Sequence, residues 1–553
     1  MTEARFAQQA RRKQSKFIGI KRVRQFTDAR RWKTPGSGGP FQMERLQILF
    51  VLILLLGILA RVWEFGSLPP GLNQDEASAA VDAYSIYRYG VDSNGVPFPA
   101  YLVAFGSGMS ALYSYVMIPF IAIGGLTPIT ERIPVLISAL LTLPVMYWVG
   151  KRIGGRLTAL IAMFLLAISP WHIIMSRWGH EANFLPFVFI VGFAFLLESS
   201  ANNWWFVAAA SVFAVSLYGY APALATVPIF LAFAIPVLVF ARRLTFWRLA
   251  AGLAVFAVVT TPIALFVIVN SLRLDGLRLG IFSIPRLPSR PRYEDQAAFF
   301  SGAFLHALKV NALQLGSLLW NQTDRQPWNV VEPYGYFYRY TAPVAAVGAV
   351  LTLPRKYLKE SPERLLLLCW LAASVTTGLL QPANINRVNL IFMPLILFTA
   401  VCLDWLGRHW RPALPIGVAL FLVSFLAFTR DYHGARYREQ LNGPFFTGFL
   451  EALDFARKAS DNPICVTDRV NMPYIFVLFG EQMNPAEYLP GMVYDDPRAT
   501  FRMPRRLDRY RFGLKNCTNH SDGTVYVLQD ELPLTVPESY TVTSFGAYHV
   551  FVP

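Results

Sequence analysis

Residues 111–126 read ALYSYVMIPFIAIGGL, an uncharged and mostly apolar stretch of sixteen residues. A helix needs about 20 apolar residues to cross a bilayer, so this one stands at the margin. Whether it crosses decides which side of the membrane every later segment occupies. Four later connectors carry the answer: GKRIGGR (150–156), ARRLTFWR (241–248), PRKYLKESPER (354–364) and GRHWR (407–411). All four are basic, and basic connectors stay on the cytoplasmic side. If 111–126 crosses, all four fall outside. If it does not, all four fall inside, together with the N-terminal tail. We therefore read it as an in-plane or re-entrant helix covered by protein.

The rest of the chain sets this segment in a membrane protein. Of its 553 residues 54% are hydrophobic, 14% aromatic and 15% charged, and the mean hydropathy is +0.39. Soluble domains carry nearer a quarter charged residues. Apolar runs recur from residue 46 to 430 and can satisfy their backbones in lipid only as helices. The chain reads as a polytopic α-helical membrane protein of about eleven spans, at roughly 46–62, 132–150, 157–174, 182–198, 204–220, 222–240, 248–269, 341–354, 364–380, 388–406 and 412–429.

The net charge of +16 does not point to nucleic acid. Twelve Lys and Arg lie in residues 1–45 against Glu3, Asp28 and Glu44, which is the signature of a basic cytosolic tail able to touch anionic headgroups. A transmembrane module, 46–429, follows, with large external loops at 63–131 and 271–340. Residues 430–553 read as an extracytoplasmic α/β domain. There GFLEALDFARKA has helical spacing, PICVTD and TVYVLQ read as strands, and SYTVTSFGAYHVFV reads as a closing hairpin. The run RMPRRLDRYR (502–511) reads as a solvated face, the alternative being a holder for an anionic glycan or a phospholipid head. Cys369 and Cys402 lie in apolar runs and read as buried filler. Cys465 and Cys517, if outside the cytoplasm, are placed to form a disulfide.

The first external loop contains GLNQDEASAAVDAY (71–84), with Asp75 and Glu76 side by side. Asp75 reads as a helix N-cap, with Glu76 favoured by the positive helix end. A capped carboxylate is also held in place and kept ionised, as a base requires. Other polar residues gather at the same level: Arg132 after TPITE, Arg177, His180, Glu181 and Asn183 in SRWGHEAN, and Arg387 in QPANINR. Ionisable groups at membrane depth are costly and mark functional paths. Guanidinium forks bind phosphate and carboxylates take protons from hydroxyls, so the set suits group transfer from a lipid-phosphate donor. Tyr84, Tyr87, Tyr113, Tyr115, Trp171 and Trp178 are candidates to stack on a sugar or line a lipid groove; interfacial belts use the same residues.

Three stretches, PPGLNQDEASAAVDAYSIY (69–87), GSGMSALYSYVMIPFIAIGGLTPITERIPVLISAL (106–140) and AISPWHIIMSRWGHEAN (167–183), resemble the bacterial branch of the protein O-mannosyltransferase and aminoarabinose-transferase-like glycosyltransferases, glycosyltransferase family 39, of GT-C fold. WNQTDRQPWNVVEPYGYFY (320–338) fits as well, and the resemblance runs over about 46–406. It implies a multi-pass bacterial plasma-membrane enzyme that transfers a sugar, with inversion, from a polyprenyl-phosphate donor to a hydroxyl on a protein, lipid or polysaccharide. It implies Asp75 as the catalytic acid with Glu76 as its neighbour, and Arg132 as a donor- or acceptor-binding residue. Relatives carry a Lys-Pro-Pro stretch before the in-plane helix; here GSGMSALYSY (106–115) has no Lys, and Arg177 or Arg387 takes that charge. Some relatives hold a divalent cation, for which His180 and Glu181 are the candidate ligands. A transporter or flippase of a lipid-linked glycan, or an oligosaccharide ligase or polymerase, is the alternative. A transporter would place charges deep in its spans and repeat its halves; here the spans are nearly free of charge.

Overall fold

The computed structural model describes residues 40–199, 202, 204–292, 294, 298, 302–353, 361–517, 523–531 and 539–553. The basic tail before residue 40 and most of PRKYLKESPER lie outside the described residues. The chain divides into two compact units, Met1–Leu52 and Ile53–Pro553.

Eight described helices are long and apolar enough to cross a membrane: Glu44–Val62, Pro128–Gly154, Glu181–Glu198, Ala223–Phe240, Phe246–Ser271, Pro362–Leu380, Asn389–His409 and Ala413–Tyr432. Three shorter apolar helices, Arg156–Ala167, Trp204–Ser216 and Thr341–Leu351, occupy the other positions where spans were expected. The segment that opened the reading forms Leu112–Gly124. At 1.5 Å per residue it is about 20 Å long, against a hydrocarbon core of about 30 Å. Its Tyr113, Ser114, Met117 and Ile121 are buried, which is the cover that backbone at membrane depth requires.

The expected span 157–174 is broken. Its helix stops at Ala167, and a short helix, Pro170–Met175, starts again with proline at its first turn. The break leaves carbonyls without helical partners. Arg61, fully buried, fills that gap by donating to the Leu166 and Ala167 carbonyls at 2.9 and 3.0 Å and to His172 Nδ1 at 2.7 Å. This charge inside the first apolar run is spent on the backbone. Within the expected loop 271–340 lies a further helix, Phe304–Asn321, which packs against Pro362–Leu380 through a narrow stripe that includes Asn311, Leu315 and Leu318.

The C-terminal part carries a seven-stranded mixed sheet. In spatial order its strands are Val493–Tyr494, Pro504–Leu507, Tyr510–Phe512, Ile464–Val466, Val525–Gln529, Tyr548–Val552 and Thr541–Phe545. The central strand pairs in parallel with both neighbours, and the outer pairs are antiparallel. Phe449–Ala459 is the expected helix, and the expected hairpin closes the sheet. Cys465 and Cys517 are disulfide-bonded, while Cys369 and Cys402 are free and buried. RMPRRLDRYR is less solvated than expected. Arg505 pairs with Asp495 at 2.5 Å, Arg509 donates to the Ser460 carbonyl at 2.8 Å, and Arg502 reaches Asn94 Oδ1 at 2.9 Å.

One hydrophobic core joins this sheet to the 63–131 region. Leu72, Ala77, Ile86, Phe105 and Met117 belong to the same cluster as Phe449, Ile464, Phe476 and Tyr548. The contact is close enough to need glycine: a Cβ on Gly106 (φ +100°) would meet Arg502 Nε at 2.5 Å, and on Gly71 (φ +72°) it would meet the Phe445 carbonyl at 2.2 Å.

Two buried carboxyl groups stand at this junction. Asp82 Oδ1 accepts from the Ser93 N–H at 2.9 Å, and Asp92 Oδ1 accepts from Asn94 and Val96 at 2.9 and 2.8 Å. Burial first, and then the facing charge of Asp92, pushes Asp82 up to about 7; burial pushes Asp92 up to about 6 despite its backbone donors. Both hold a proton more tightly folded than unfolded. Their stabilisation is therefore complete below the ordinary carboxylate range and is lost as pH rises through about 6 to 7. We expect Asp82→Asn to be more stable to unfolding than wild type at pH 8, by on the order of 1–3 kcal/mol, with the margin shrinking toward pH 4. Thermal unfolding across that pH range checks this; a margin independent of pH would contradict it.

Candidate functional site

The helix Gln74–Tyr89 is capped by Asn73, not by Asp75 as the sequence suggested. Asn73 Oδ1 accepts from the Asp75 N–H at 3.0 Å, and Glu76 Oε2 accepts from the Asn73 N–H at 2.9 Å, which completes a capping box. Glu76 does more. It takes Arg132 Nε and Nη2 at 2.9 and 3.0 Å and the Gly179 N–H at 2.8 Å, and both side chains are fully buried. Arg132 also donates to the Pro69 and Gly71 carbonyls at 3.0 and 2.8 Å. Successive residues on a helix are turned by about 100°. With Glu76 turned into the protein, Asp75 faces elsewhere.

It faces a cavity of about 830 Å³. The polar end is lined by Asp75, His180, Glu181, Arg292, Asn384 and Arg387. The other side is apolar and lies on the spans: Phe256, Ile263, Ala264, Val267 and Ile268 recur on one face of Phe246–Ser271, with Leu224 and Leu380 from two neighbours. The walls come from connectors on both sides of Leu112–Gly124 in sequence. Asn73–Asp75 precede it, whereas Trp178–Glu181, Tyr220–Pro222, Arg292 and Gln381–Arg387 follow. The cavity thus gathers segments that lie far apart in the sequence.

His180 Nδ1 accepts from the Ala182 N–H at 3.0 Å, so its proton sits on Nε2, 3.8 Å from Asp75 Oδ2. Burial holds His180 below the ordinary imidazole range, with Asp75 opposing. Glu181 Oε2 accepts from the Ser110 N–H at 2.7 Å. With one His180 nitrogen so engaged, the pair offers a cation little: among the described residues no three His, Cys, Asp or Glu come together as a ligand set.

The cavity thus brings together Asp75, His180, Glu181 and Arg387. Glu76, Arg132 and Arg177 do not line it. Arg177 is buried, donates to the Trp63 carbonyl and stands over the Tyr432 ring at 5.5 Å. Of the aromatic candidates only Trp178 lines the cavity; Tyr101, Tyr220 and Trp328 join it unforeseen. Tyr113 is committed to the Glu131 carbonyl at 2.7 Å and Tyr115 to that of Pro99 at 3.0 Å. The main residue the sequence reading missed is Arg292. Its Nε donates to Ser107 Oγ at 2.9 Å, and its Nη2 is buried with no hydrogen-bond partner among the described residues. The excess of Arg over Asp in residues 271–292 was the available signal. Asn384, within the quoted QPANINR, was passed over for Arg387.

No family model and no curated protein matches the chain by sequence. Solved structures match it by shape. ArnT from Cupriavidus metallidurans in the apo state aligns with 92% of this chain and 98% of its own, at 14% identity and a TM-score of 0.53. The same protein bound to undecaprenyl phosphate aligns with 91% and 97%, at 16% identity and a TM-score of 0.54. This is a GT-C fold. An oligosaccharyltransferase from Archaeoglobus fulgidus, tethered to an acceptor peptide, shares it at 14% identity and a TM-score of 0.50, over 80% of this chain and 64% of its own. In this GT-C chain the capping box, the buried ion pair and the cavity are built by its own residues, whatever the sequence distance.

Removing one partner of a buried pair strands the other charge and costs about 3–5 kcal/mol. We expect Arg132→Ala to lower the unfolding temperature strongly, whereas Asp75→Asn, at the half-exposed cavity wall, leaves it unchanged. Thermal unfolding of the two variants in detergent separates them; equal stability would contradict the assignment of Glu76 and Arg132 to the scaffold.

Proposed function

We propose that this chain is a membrane glycosyltransferase that moves a sugar from a polyprenyl-phosphate donor to an acceptor hydroxyl, with inversion at the anomeric carbon. One observation carries the reading: an apolar groove on the spans opens into a polar end where Asp75 shares the wall with Arg292 and Arg387. The groove suits a polyprenyl tail. The guanidiniums suit its phosphate, and the polar space between suits a sugar. ArnT, which shares the fold, has been solved with undecaprenyl phosphate bound.

In this reading Asp75 accepts the proton of the acceptor hydroxyl. The hydroxyl oxygen attacks the anomeric carbon, and the bond from that carbon to the phosphate oxygen breaks. The electron pair leaves with the polyprenyl phosphate, whose developing charge Arg292 and Arg387 meet. Arg292 thereby stands where the sequence had nominated Arg177. His180, neutral and donating from Nε2, orients Asp75 or a sugar hydroxyl. Glu76 and Arg132 act as positioning residues. The reading carries with it eleven spans, a cytosolic tail at 1–45, an extracytoplasmic domain at 430–553 and a plasma-membrane location; the acceptor is a protein, lipid or polysaccharide.

Asp75→Asn should lower transfer by about 10²–10⁴-fold, the usual contribution of a positioned base, while still binding polyprenyl phosphate. A panel of radiolabelled polyprenyl-phosphate sugars offered to purified wild type and variant measures this; an active Asp75→Asn sinks the proposal. Arg292→Gln and Arg387→Gln should each weaken polyprenyl-phosphate binding by about 10-fold or more, since a hydrogen bond to a charged group is worth about 1.5–3 kcal/mol. Direct lipid binding checks it, and affinities equal to wild type would remove these arginines from the phosphate site.

A further inference from the structure

A second cleft, of about 520 Å³, lies beside the catalytic cavity and is lined by Arg273, Arg286, Arg290 and Arg498 together with Leu287, Pro288 and Ser289. No acid lines it. Four guanidiniums in one concavity repel one another unless an anion joins them. Arg290 and Arg498 are exposed and make no side-chain hydrogen bond or ion pair among the described residues. Arg286 meets only Asp275, at 3.2 Å, and Asp275 is fully exposed. Such a surface pair contributes little and gives way readily to a ligand.

The backbone under these side chains is fixed. Asn270, fully buried at the end of its span, donates to the Pro285 carbonyl at 3.0 Å and accepts from the Leu287 N–H at 2.8 Å. Ser289 Oγ donates to the Gly106 carbonyl at 2.7 Å, and Arg273 donates to the Ser289 carbonyl at 3.1 Å. The cleft therefore has a fixed backbone, with the charged ends of Arg290 and Arg498 left free among the described residues. Arg498 comes from the segment between strands Val493–Tyr494 and Pro504–Leu507, so the C-terminal sheet region supplies one wall.

Its position gives it a purpose. Ser271 and Arg292 line the catalytic cavity, and Arg273 and Arg290 line the cleft. On each segment the two residues are two apart, a chain distance of at most about 7 Å. The cleft and the cavity are therefore walled by adjoining residues of the same two segments. We infer that the cleft seats the phosphate or carboxylate of an anionic acceptor glycan whose hydroxyl enters the cavity. This rests on the glycosyltransferase reading above. An anionic lipid headgroup offers the same chemistry, because Arg273 lies just past the end of a span; the test separates the two.

The full chain in phosphatidylcholine nanodiscs is titrated with glucose 6-phosphate, with glucose as the uncharged control, for wild type and for Arg290→Ser/Arg498→Ser. The double variant should bind glucose 6-phosphate at least tenfold more weakly and bind polyprenyl phosphate as wild type does. Binding in wild type should also weaken with salt. Equal affinities in wild type and variant would overturn the inference. So would loss of glucose 6-phosphate binding when phosphatidylglycerol is added to the wild-type discs, since headgroups would then be the occupant. Binding that persists there supports the acceptor role. If wild type fails to bind polyprenyl phosphate while the cleft still binds glucose 6-phosphate, the donor reading fails and the anion site stands.

Discussion

The buried pair between Glu76 and Arg132 is the constraint on which the site depends. It ties the start of the Gln74–Tyr89 helix to the Pro128–Gly154 span, and through the Gly179 N–H it ties both to the turn that carries His180. A buried ion pair contributes little net stability, because desolvation offsets attraction. Its effect is geometric. With Arg132 also holding the Pro69 and Gly71 carbonyls, the entry to the helix has one arrangement. The helical turn then sends Asp75 toward the cavity and Glu76 away from it.

The cavity joins two media. Its spans present a stripe of apolar residues, and its connectors present amides, imidazole, carboxylates and guanidiniums. Charges set in such partly excluded surroundings interact more strongly than in water. The C-terminal sheet belongs to this arrangement. It shares its core with the 63–131 region and presses Arg502 against Gly106. That contact steadies the segment whose Ser110 N–H holds Glu181. The domain therefore bears on the shape of the site as well as on access to it.

Much of the fold was legible because it follows from local composition. Long apolar runs, basic connectors and alternating strand patterns each report on a few residues at a time, and they placed the spans and the C-terminal strands. That residues 111–126 form a short helix covered by protein was legible from their length and from the basic connectors that follow. Phe304–Asn321 was not, because its buried stripe includes Asn311 and has meaning only against the Pro362–Leu380 helix. The break after Ala167 was also hidden, because it is tolerated only where Arg61 reaches across to its carbonyls.

The sequence by itself determined that this is a polytopic helical membrane protein, that its polar connectors gather on one side, and that Asp75 with Glu76 is the pair to examine. Only the tertiary structure decided which carboxylate faces the cavity. It also decided that Arg132 and Arg177 turn inward while Arg292 and Arg387 line the wall. An arginine has the same composition signature in either place. Its role depends on whether a carboxylate or carbonyl from a distant segment claims it, and for Arg132 that partner lies 56 residues away in the chain.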